Sequence, residues 1–407
     1  MKTAAAACAA LLLLPPAWGG DPPEAAATST GNWSASLRLQ GAHRQANDAS
    51  AFAPAARYTG AAADEHQAAL ELRGQTGPLR GVVTTRGERR TAQDWAGHWV
   101  VNELVLESAL PGTAAYYSVG KKMLSWDVGY AWRPLDVLQR EDRRTLVPVT
   151  LEGIPQLSVE WFGADSAVAL LLTNPGKGRA ARPRDDAALT LRAFRRAAAS
   201  DLYGLARWSE RYGVETGGAF SHVLDESLEL HGSALWQQRF ERWRNAGNGA
   251  PWQVDTAPAG HKLLLGATWT NARHTSIILE AWYDRSGLTA AQWRSISADS
   301  RALALQPLPA EAIAGLSARG AEAYRTETSA RSQVFLRLSQ KLGDVEIAAD
   351  QMRSPADGGH VTTLAATWIR NAWRLDAGLR RFGGPGDSAW GNAPSRHIWF
   401  AQVQLGF

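Results

Sequence analysis

The chain closes on His397-Ile398-Trp399-Phe400-Ala401-Gln402-Val403-Gln404-Leu405-Gly406-Phe407. At a period of two, Trp399, Ala401, Val403, Leu405 and Phe407 share one face, while Gln402, Gln404 and Gly406 fall on the other. Such a strand presents hydrocarbon on one side and hydrogen-bonding groups on the other. Its apolar side faces either the core of a sandwich or, in a membrane, lipid, with the glutamines toward water. The same alternation recurs where the mature chain begins: Trp33, Ala35, Leu37 and Leu39 stand against Ser34, Ser36, Arg38 and Gln40.

Working inward from the two ends, alternating segments are expected at 33–40, 66–74, 79–86, 99–108, 113–119, 156–162, 166–173, 188–196, 200–210, 219–230, 234–244, 260–270, 275–284, 333–341, 344–352, 360–370, 373–382 and 397–407. These make eighteen strands, with sixteen to twenty compatible with the pattern. In the second half, tight links at Gly163-Ala164-Asp165, Ala197 to Ala199, His231-Gly232-Ser233, Asn271 to His274, Leu342-Gly343 and Asn371-Ala372 alternate with long ones at 174–187, 211–218, 245–259, 285–332, 353–359 and 383–396. Strict alternation puts all short turns at one end and all long loops at the other, which a membrane barrel requires and a soluble sandwich does not. An even strand number returns both termini to the short-turn end. Trp33, Trp208, Trp236, Trp269, Trp368, Trp373 and Trp399 fall on the apolar face, several near strand ends where interfacial aromatic belts lie. Within 285–332, Thr289 and Pro309 each open a pattern resembling a short capped helix.

The N-terminus supplies independent support. Lys2, the apolar run from Ala4 to Leu14, Pro15-Pro16 and the small residues Gly19-Gly20 read as an export signal peptide over 1–20, followed by an irregular lead-in over 21–31. Cys8, the only cysteine, lies inside that peptide. A mature chain without cysteine has no disulfide, thiolate metal site or cysteine nucleophile. No later apolar run reaches the roughly twenty residues that a membrane helix needs, so a membrane would be crossed by strands. Mean hydropathy is −0.26 despite 18 tryptophans, as when only alternate residues meet lipid. The net charge is +4, and only six of the 43 basic residues are lysine. The nine histidines show no metal-ligand pairing and no glycine-framed serine nearby. No calcium loop or phosphate-cradling glycine loop is present, so no cofactor, metal or nucleic acid is expected.

A chain closing on such a strand and an aromatic residue resembles the Gram-negative outer-membrane β-barrels. That resemblance implies export to the outer membrane, contact with the lipid bilayer and lipopolysaccharide, and recognition of Phe407 by the barrel-assembly machinery. The stretch from Gly120 to Trp126 and the arginine-rich inner face also resemble the alginate-export and related porin-like families, whose members are eighteen-stranded and pass anionic sugar chains or small acids. The expectation is an all-β transmembrane antiparallel barrel over 32–407. It would act as a passive channel or export pore for small or polymeric, anionic solutes. The rival is a barrel without transport, either a membrane-embedded enzyme or a scaffold for a surface-polymer machine.

The segment 120–155 breaks the strand rhythm and is rich in Trp, Tyr and paired charge. One reading folds it into the pore as a constriction lined by Lys121, Lys122, Arg133, Asp136, Arg140, Glu141, Arg143 and Arg144, a mixed set that would select by field and width. The other makes two further strands of 120–128 and 146–152, with the charges forming a surface patch. Alternation also assigns Arg38, Arg73, Arg80, Arg192, Arg207, Arg239, Arg337, Arg374 and Arg380 to the lumen, with Glu71, Glu241, Glu280 and Asp376 opposing them. That basic excess leans toward anions.

Overall fold

The computed structural model describes residues 31–407 apart from 92, 140, 142–145, 147–149, 178–184, 246, 248–249 and 327. The expected signal peptide and nearly all of the lead-in lie outside the described residues, as do Arg140, Arg143 and Arg144. Eighteen antiparallel strands form one sheet: β1 (Asn32–Ala46), β2 (Asp64–Thr76), β3 (Leu79–Arg90), β4 (Ala96–Ala109), β5 (Ala115–Lys122), β6 (Ile154–Phe162), β7 (Ser166–Thr173), β8 (Ala188–Ala197), β9 (Ser200–Ser209), β10 (Gly213–Val223), β11 (Leu228–Arg244), β12 (Gln253–Thr270), β13 (Thr275–Asp284), β14 (Ser332–Leu342), β15 (Val345–Arg353), β16 (His360–Arg370), β17 (Trp373–Gly383) and β18 (Ser395–Gly406). Each strand pairs with its sequence neighbour, and β1 pairs with both β2 and β18. Phe407 completes the seam, donating its N–H to the Ala35 carbonyl at 2.8 Å and accepting from the Ala35 N–H. The sheet is therefore closed and has no free edge to aggregate or template another chain.

The distribution of side chains is inverted relative to a soluble protein. Leu39, Leu263, Leu279 and Leu364 stand half exposed on the outside, whereas Glu71, Gln237, Glu280 and Gln402 are buried on the inside. Outward hydrocarbon with inward polar groups is the arrangement of a membrane barrel, and it follows from the period-two pattern of every strand. Trp33, Trp161, Trp269 and Trp373 lie toward the short-turn end of their strands, and Trp99, Trp208 and Trp399 toward the other. They are two belts. A separate set of tryptophans, Trp126, Trp132, Trp282, Trp293 and Trp390, is buried inside.

Tight turns at one end take the positive φ that hairpins of right-twisted strands need: Gly343 at 61° and Asn371 at 54°. One hairpin departs from the sequence reading. The expected turn His231-Gly232-Ser233 lies within β11, where His231 is buried in the lumen. The chain instead turns at 224–227, because the Asp225 carboxylate accepts from the backbone N–H groups of Ser227 (2.8 Å) and Leu228 (3.0 Å). Most of 211–218 consequently belongs to β10, and the β9–β10 link shrinks to Glu210-Arg211-Tyr212. Short and long links therefore do not alternate without exception.

The long-loop end is capped. The β1–β2 link, with the short α1 (Ala56–Thr59), packs on two helices from the β13–β14 link, α2 (Ala290–Ala304) and α3 (Ala310–Ala321). Helix α2 starts at Thr289 through a reciprocal capping box with Gln292, and α3 starts at Pro309. Phe52, Trp293, Ile296 and Trp390 form the apolar centre of the cap, which continues into the barrel through Trp282, Phe335, Met352 and Val361.

Candidate functional site

Strand β5 ends at Lys122 and β6 starts at Ile154; the described residues between them contain no strand. Residues 124–139 enter the barrel and lie against its wall. The apolar residues explain their course. Leu124, Trp126, Leu135 and Leu138 bury against Ala169, Leu171, Leu205, Ala219 and Leu235 on the inner faces of β7, β9, β10 and β11. Further along, Trp132 stacks parallel on Trp282 at 5.8 Å and meets Phe335 edge-on, while Tyr130 stacks on Phe335 at 5.6 Å. Small residues make room for the approach. A methyl on Gly217 would lie 2.5 Å from Leu135 Cδ2, and one on Gly129 would collide with the Trp132 carbonyl and Leu264.

A loop without strand or helix must satisfy its backbone by other means, and here carboxylates do so. Asp136 accepts from the N–H groups of Trp126 (2.7 Å) and Asp127 (3.2 Å), and Asp127 accepts from Leu135 (2.5 Å) and Val128 (2.7 Å). Glu280, fully buried on β13, accepts from Tyr130 (2.5 Å) and Ala131 (2.8 Å), and its Oε1 lies 3.0 Å from His231 Nε2. Glu280 is thus one point at which the barrel wall holds the insert by hydrogen bonds; nearer the insert's C-terminal end, Asn102 on β4 donates to the Leu151 carbonyl at 3.0 Å. Arg133 sits within the insert, ion-paired to Asp136 (3.2 Å) and Glu141 (3.1 Å) and donating to Ser125 and to the Asp127 carbonyl.

The expected constriction residues therefore divide. Arg133 and Glu141 border the open lumen, whereas Asp136 is turned into the loop as a scaffold. Lys121 and Lys122 lie in the wall: Lys121 pairs with Glu152 (2.6 Å), and Lys122 with Glu107 (2.6 Å). Lys121 also stands opposite Leu104, on the outward face.

Among the lumen arginines, the insert covers Arg192, whose guanidinium lies 4.9 Å over the Trp126 ring. Arg207 is buried between Asp186 (3.1 Å) and Glu215. Arg73, Arg80, Arg337 and Arg374 pair respectively with Glu71, Glu103, Asp350 and Asp376. Arg38 lies near Glu71, and Arg380 donates to the Thr363 hydroxyl at 2.9 Å. Arg239 leaves the row. Strand alternation is interrupted where Ala259 takes a φ of 57°, so Phe240 takes the buried position opposite Ala257 and Arg239 reaches the Glu210 carbonyl at the rim. Sequence reasoning placed these cations by period alone and could not see that most are neutralised by neighbours on the same face.

Between the insert, the cap and the opposite wall lies a cavity of about 910 Å³. Its cations are Arg44, Arg133, Lys262, Arg325 and Arg380, and its carboxylates are Glu65 and Glu141. Trp132, Trp282 and Trp390 supply flat apolar walls.

Burial, opposed by Arg133 and reinforced by Asp127, pushes the Asp136 carboxyl up to about 6; burial also raises Asp127. A carboxyl that holds its proton more tightly in the folded insert than in a released one stabilises the insert fully below the ordinary value of 3.8. That contribution is lost as pH rises through about 6, a shift worth roughly 3 kcal/mol. Single-channel current noise is accordingly expected to grow between about pH 5 and pH 7.5, with Asp136→Asn flattening the change.

No family model matches the chain, and no curated protein matches it. Solved structures do. OccAB1 of Acinetobacter baumannii superposes with a TM-score of 0.52 at 8% identity, over 93% of this chain and 96% of that one. OccK11 (OpdR) of Pseudomonas aeruginosa gives 0.51 at 9%, over 93% and 95%. A mutant porin of Rhodopseudomonas blastica gives 0.43 at 11%, over 93% and 100%. At such identities the shared property is architecture: this chain has the closed antiparallel barrel fold of the Gram-negative outer-membrane porins.

Proposed function

We propose that the protein is an outer-membrane channel through which small solutes diffuse passively, and that it prefers anions. The apolar exterior fits a bilayer, and the porin architecture favours a pore over a membrane-embedded enzyme. The observation carrying the anion preference is the cavity beneath the cap: Arg44, Arg133 and Lys262 are paired with Glu65, with Asp136 and Glu141, and with Asp284, respectively, and the basic character of the lining comes mainly from Arg325 and Arg380. Guanidinium groups hold their charge and offer paired donors to carboxylate or phosphate. The tryptophan walls add surface for the apolar part of an organic anion. A cavity of about 910 Å³ suits a small molecule within the usual range of ligand sites.

Reversal potentials across planar bilayers in a KCl gradient test this reading. Chloride is expected to be favoured over potassium several-fold. The double variant Arg44→Glu/Arg380→Glu is expected to bring the ratio to unity or below, because each swap moves the lining by two charges. Cation selectivity in the unaltered protein sinks the anion preference. Absence of conductance together with lipid hydrolysis favours the enzyme.

A further inference from the structure

The wall of the barrel is not of even height. Strand β4 has 14 residues, whereas β5, β6 and β7 have 8, 9 and 8. Strand β4 pairs with β3 from Ala96 to Leu106, yet with β5 only from Leu104 to Ala109. On the side facing β5, Asn102 is held by the returning limb of the insert: its carbonyl accepts from the Gly153 N–H at 2.8 Å, and its side chain donates to the Leu151 carbonyl. Among the described residues, nothing pairs with the backbone of Ala96 to Val101 on that side. The long-loop half of the wall therefore has a notch beside β4, above the short strands β5 to β7.

The foot of the notch lies between the two tryptophan belts. In a tilted barrel a row of opposed residues climbs as it crosses the strands, and the row that starts at Leu79, at the short-turn end of β3, reaches Trp208 at the long-loop end of β9. The row of Trp33, in the short-turn belt, climbs likewise through Gly74, Gly81 and Leu104 to Lys121. On β4, Leu104 lies five residues from Trp99 of the other belt, about 17 Å along the strand. The outward Lys121–Glu152 ion pair thus stands within the band where the outside of the barrel is mainly apolar. An ion pair and an unpaired strand edge are both costly in hydrocarbon and are tolerated where they line water. On the lumen side of β3 and β4, Arg86 donates to His98 Nε2 at 2.9 Å and forms no ion pair among the described residues. Leu124, Leu138 and Ile154 form an apolar surface inside the short strands.

We propose that the notch is a side portal, through which amphiphiles with a carboxylate head and an apolar body pass between the lumen and the membrane leaflet at the long-loop end. Its foot is wet, which is why Lys121 and Glu152 stand there as ions. The carboxylate meets Arg86, whose guanidinium holds its charge and has no carboxylate of its own. The apolar body moves over Ile154 and Leu138. This goes beyond passage along the barrel axis and rests on the barrel spanning a bilayer. Axial diffusion needs neither a strand bonded on one side nor a charged pair on the lipid side.

Single-cysteine variants of the full chain, each combined with Cys8→Ser and reconstituted in lipid vesicles, test the proposal. Glu152→Cys is expected to react with a charged, membrane-impermeant thiosulfonate roughly a hundredfold faster than Leu279→Cys, which faces outward in mid-strand, because the reacting thiolate needs water. A long-chain carboxylate with a diazirine at its tail, dissolved in the vesicle lipid, is expected on illumination to crosslink to the inward-facing Val100 and Ile154. A bulky maleimide attached to the Glu152→Cys thiol is expected to abolish those crosslinks. Arg86→Gln, or the methyl ester of the probe, is expected to reduce them several-fold. The heat-dependent gel mobility of a closed barrel shows that each variant is folded. Equally slow reaction of the two cysteine variants, crosslinks absent or confined to outward-facing residues, or inward crosslinks that survive the maleimide overturns the proposal. Inward crosslinks in a barrel that carries no axial current leave the portal standing and remove the channel.

Discussion

Glu280→Ala is expected to raise single-channel conductance several-fold and to make the current noisy, while the barrel itself remains folded. The carboxylate of Glu280, itself fully buried, receives two backbone N–H groups of the insert and lies against the ring nitrogen of buried His231. Its removal orphans both N–H groups, each costing about 1–3 kcal/mol. That is enough to change the population of a packed loop by orders of magnitude. The stacking of Trp132 on Trp282 remains, so the insert is expected to sample released positions and not to leave permanently. Glu280→Gln retains one acceptor and is expected to fall between. Unfolding in urea separates this local effect from global damage, since the strand ladder on both sides of Glu280 is intact. A variant with ordinary conductance and quiet current would show that the remaining packing and hydrogen bonds fix the insert without Glu280.

Arg207→Ala is expected to have the opposite profile: a large loss of stability with little change in selectivity. Arg207 is buried with Asp186 and Glu215, and Gln237 donates to Glu215 at 2.6 Å. Deleting the cation strands two buried carboxylates, a change of about 3–5 kcal/mol. Because the trio lies behind packed side chains, its charge contributes little to the field a permeating ion feels. Urea unfolding in detergent micelles reads the stability, and reversal potential reads the selectivity. Arginines of the same face thus divide by depth: a buried one such as Arg207 holds the wall, whereas cavity-bordering ones such as Arg380 are those we propose to set the sign of the field.

Strand identity was legible in the sequence because a period of two leaves most outward positions apolar, and Trp399, Ala401, Val403 and Leu405 behave as that period requires. The β10–β11 boundary was not. His231-Gly232-Ser233 has the composition of a turn, yet His231 has a buried partner in Glu280, from a strand far away in sequence. The real turn depends on a side-chain acceptor, Asp225, in a stretch with no turn glycine. The insert was recognisable as an interruption rich in tryptophan and charge. Its charges looked like pore furniture, whereas Asp127 and Asp136 are backbone acceptors. Nothing local distinguishes a carboxylate that meets water from one that terminates a loop's own N–H groups. Glu280 was visible as an inward acid, but its role emerges only when residues 130–131 are brought against β13.

Because one apolar continuum runs from Phe52 and Trp293 in the cap to Trp132 in the insert, the long-loop cap and the loop folded inside the barrel form a single mechanical body. Anything that grips the long-loop surface, such as an antibody or a phage tail fibre, would tug on the insert as well as shade the barrel's opening. The hairpins at the opposite rim share no such core, and a fluorophore or affinity tag placed there would report on the molecule without disturbing its traffic.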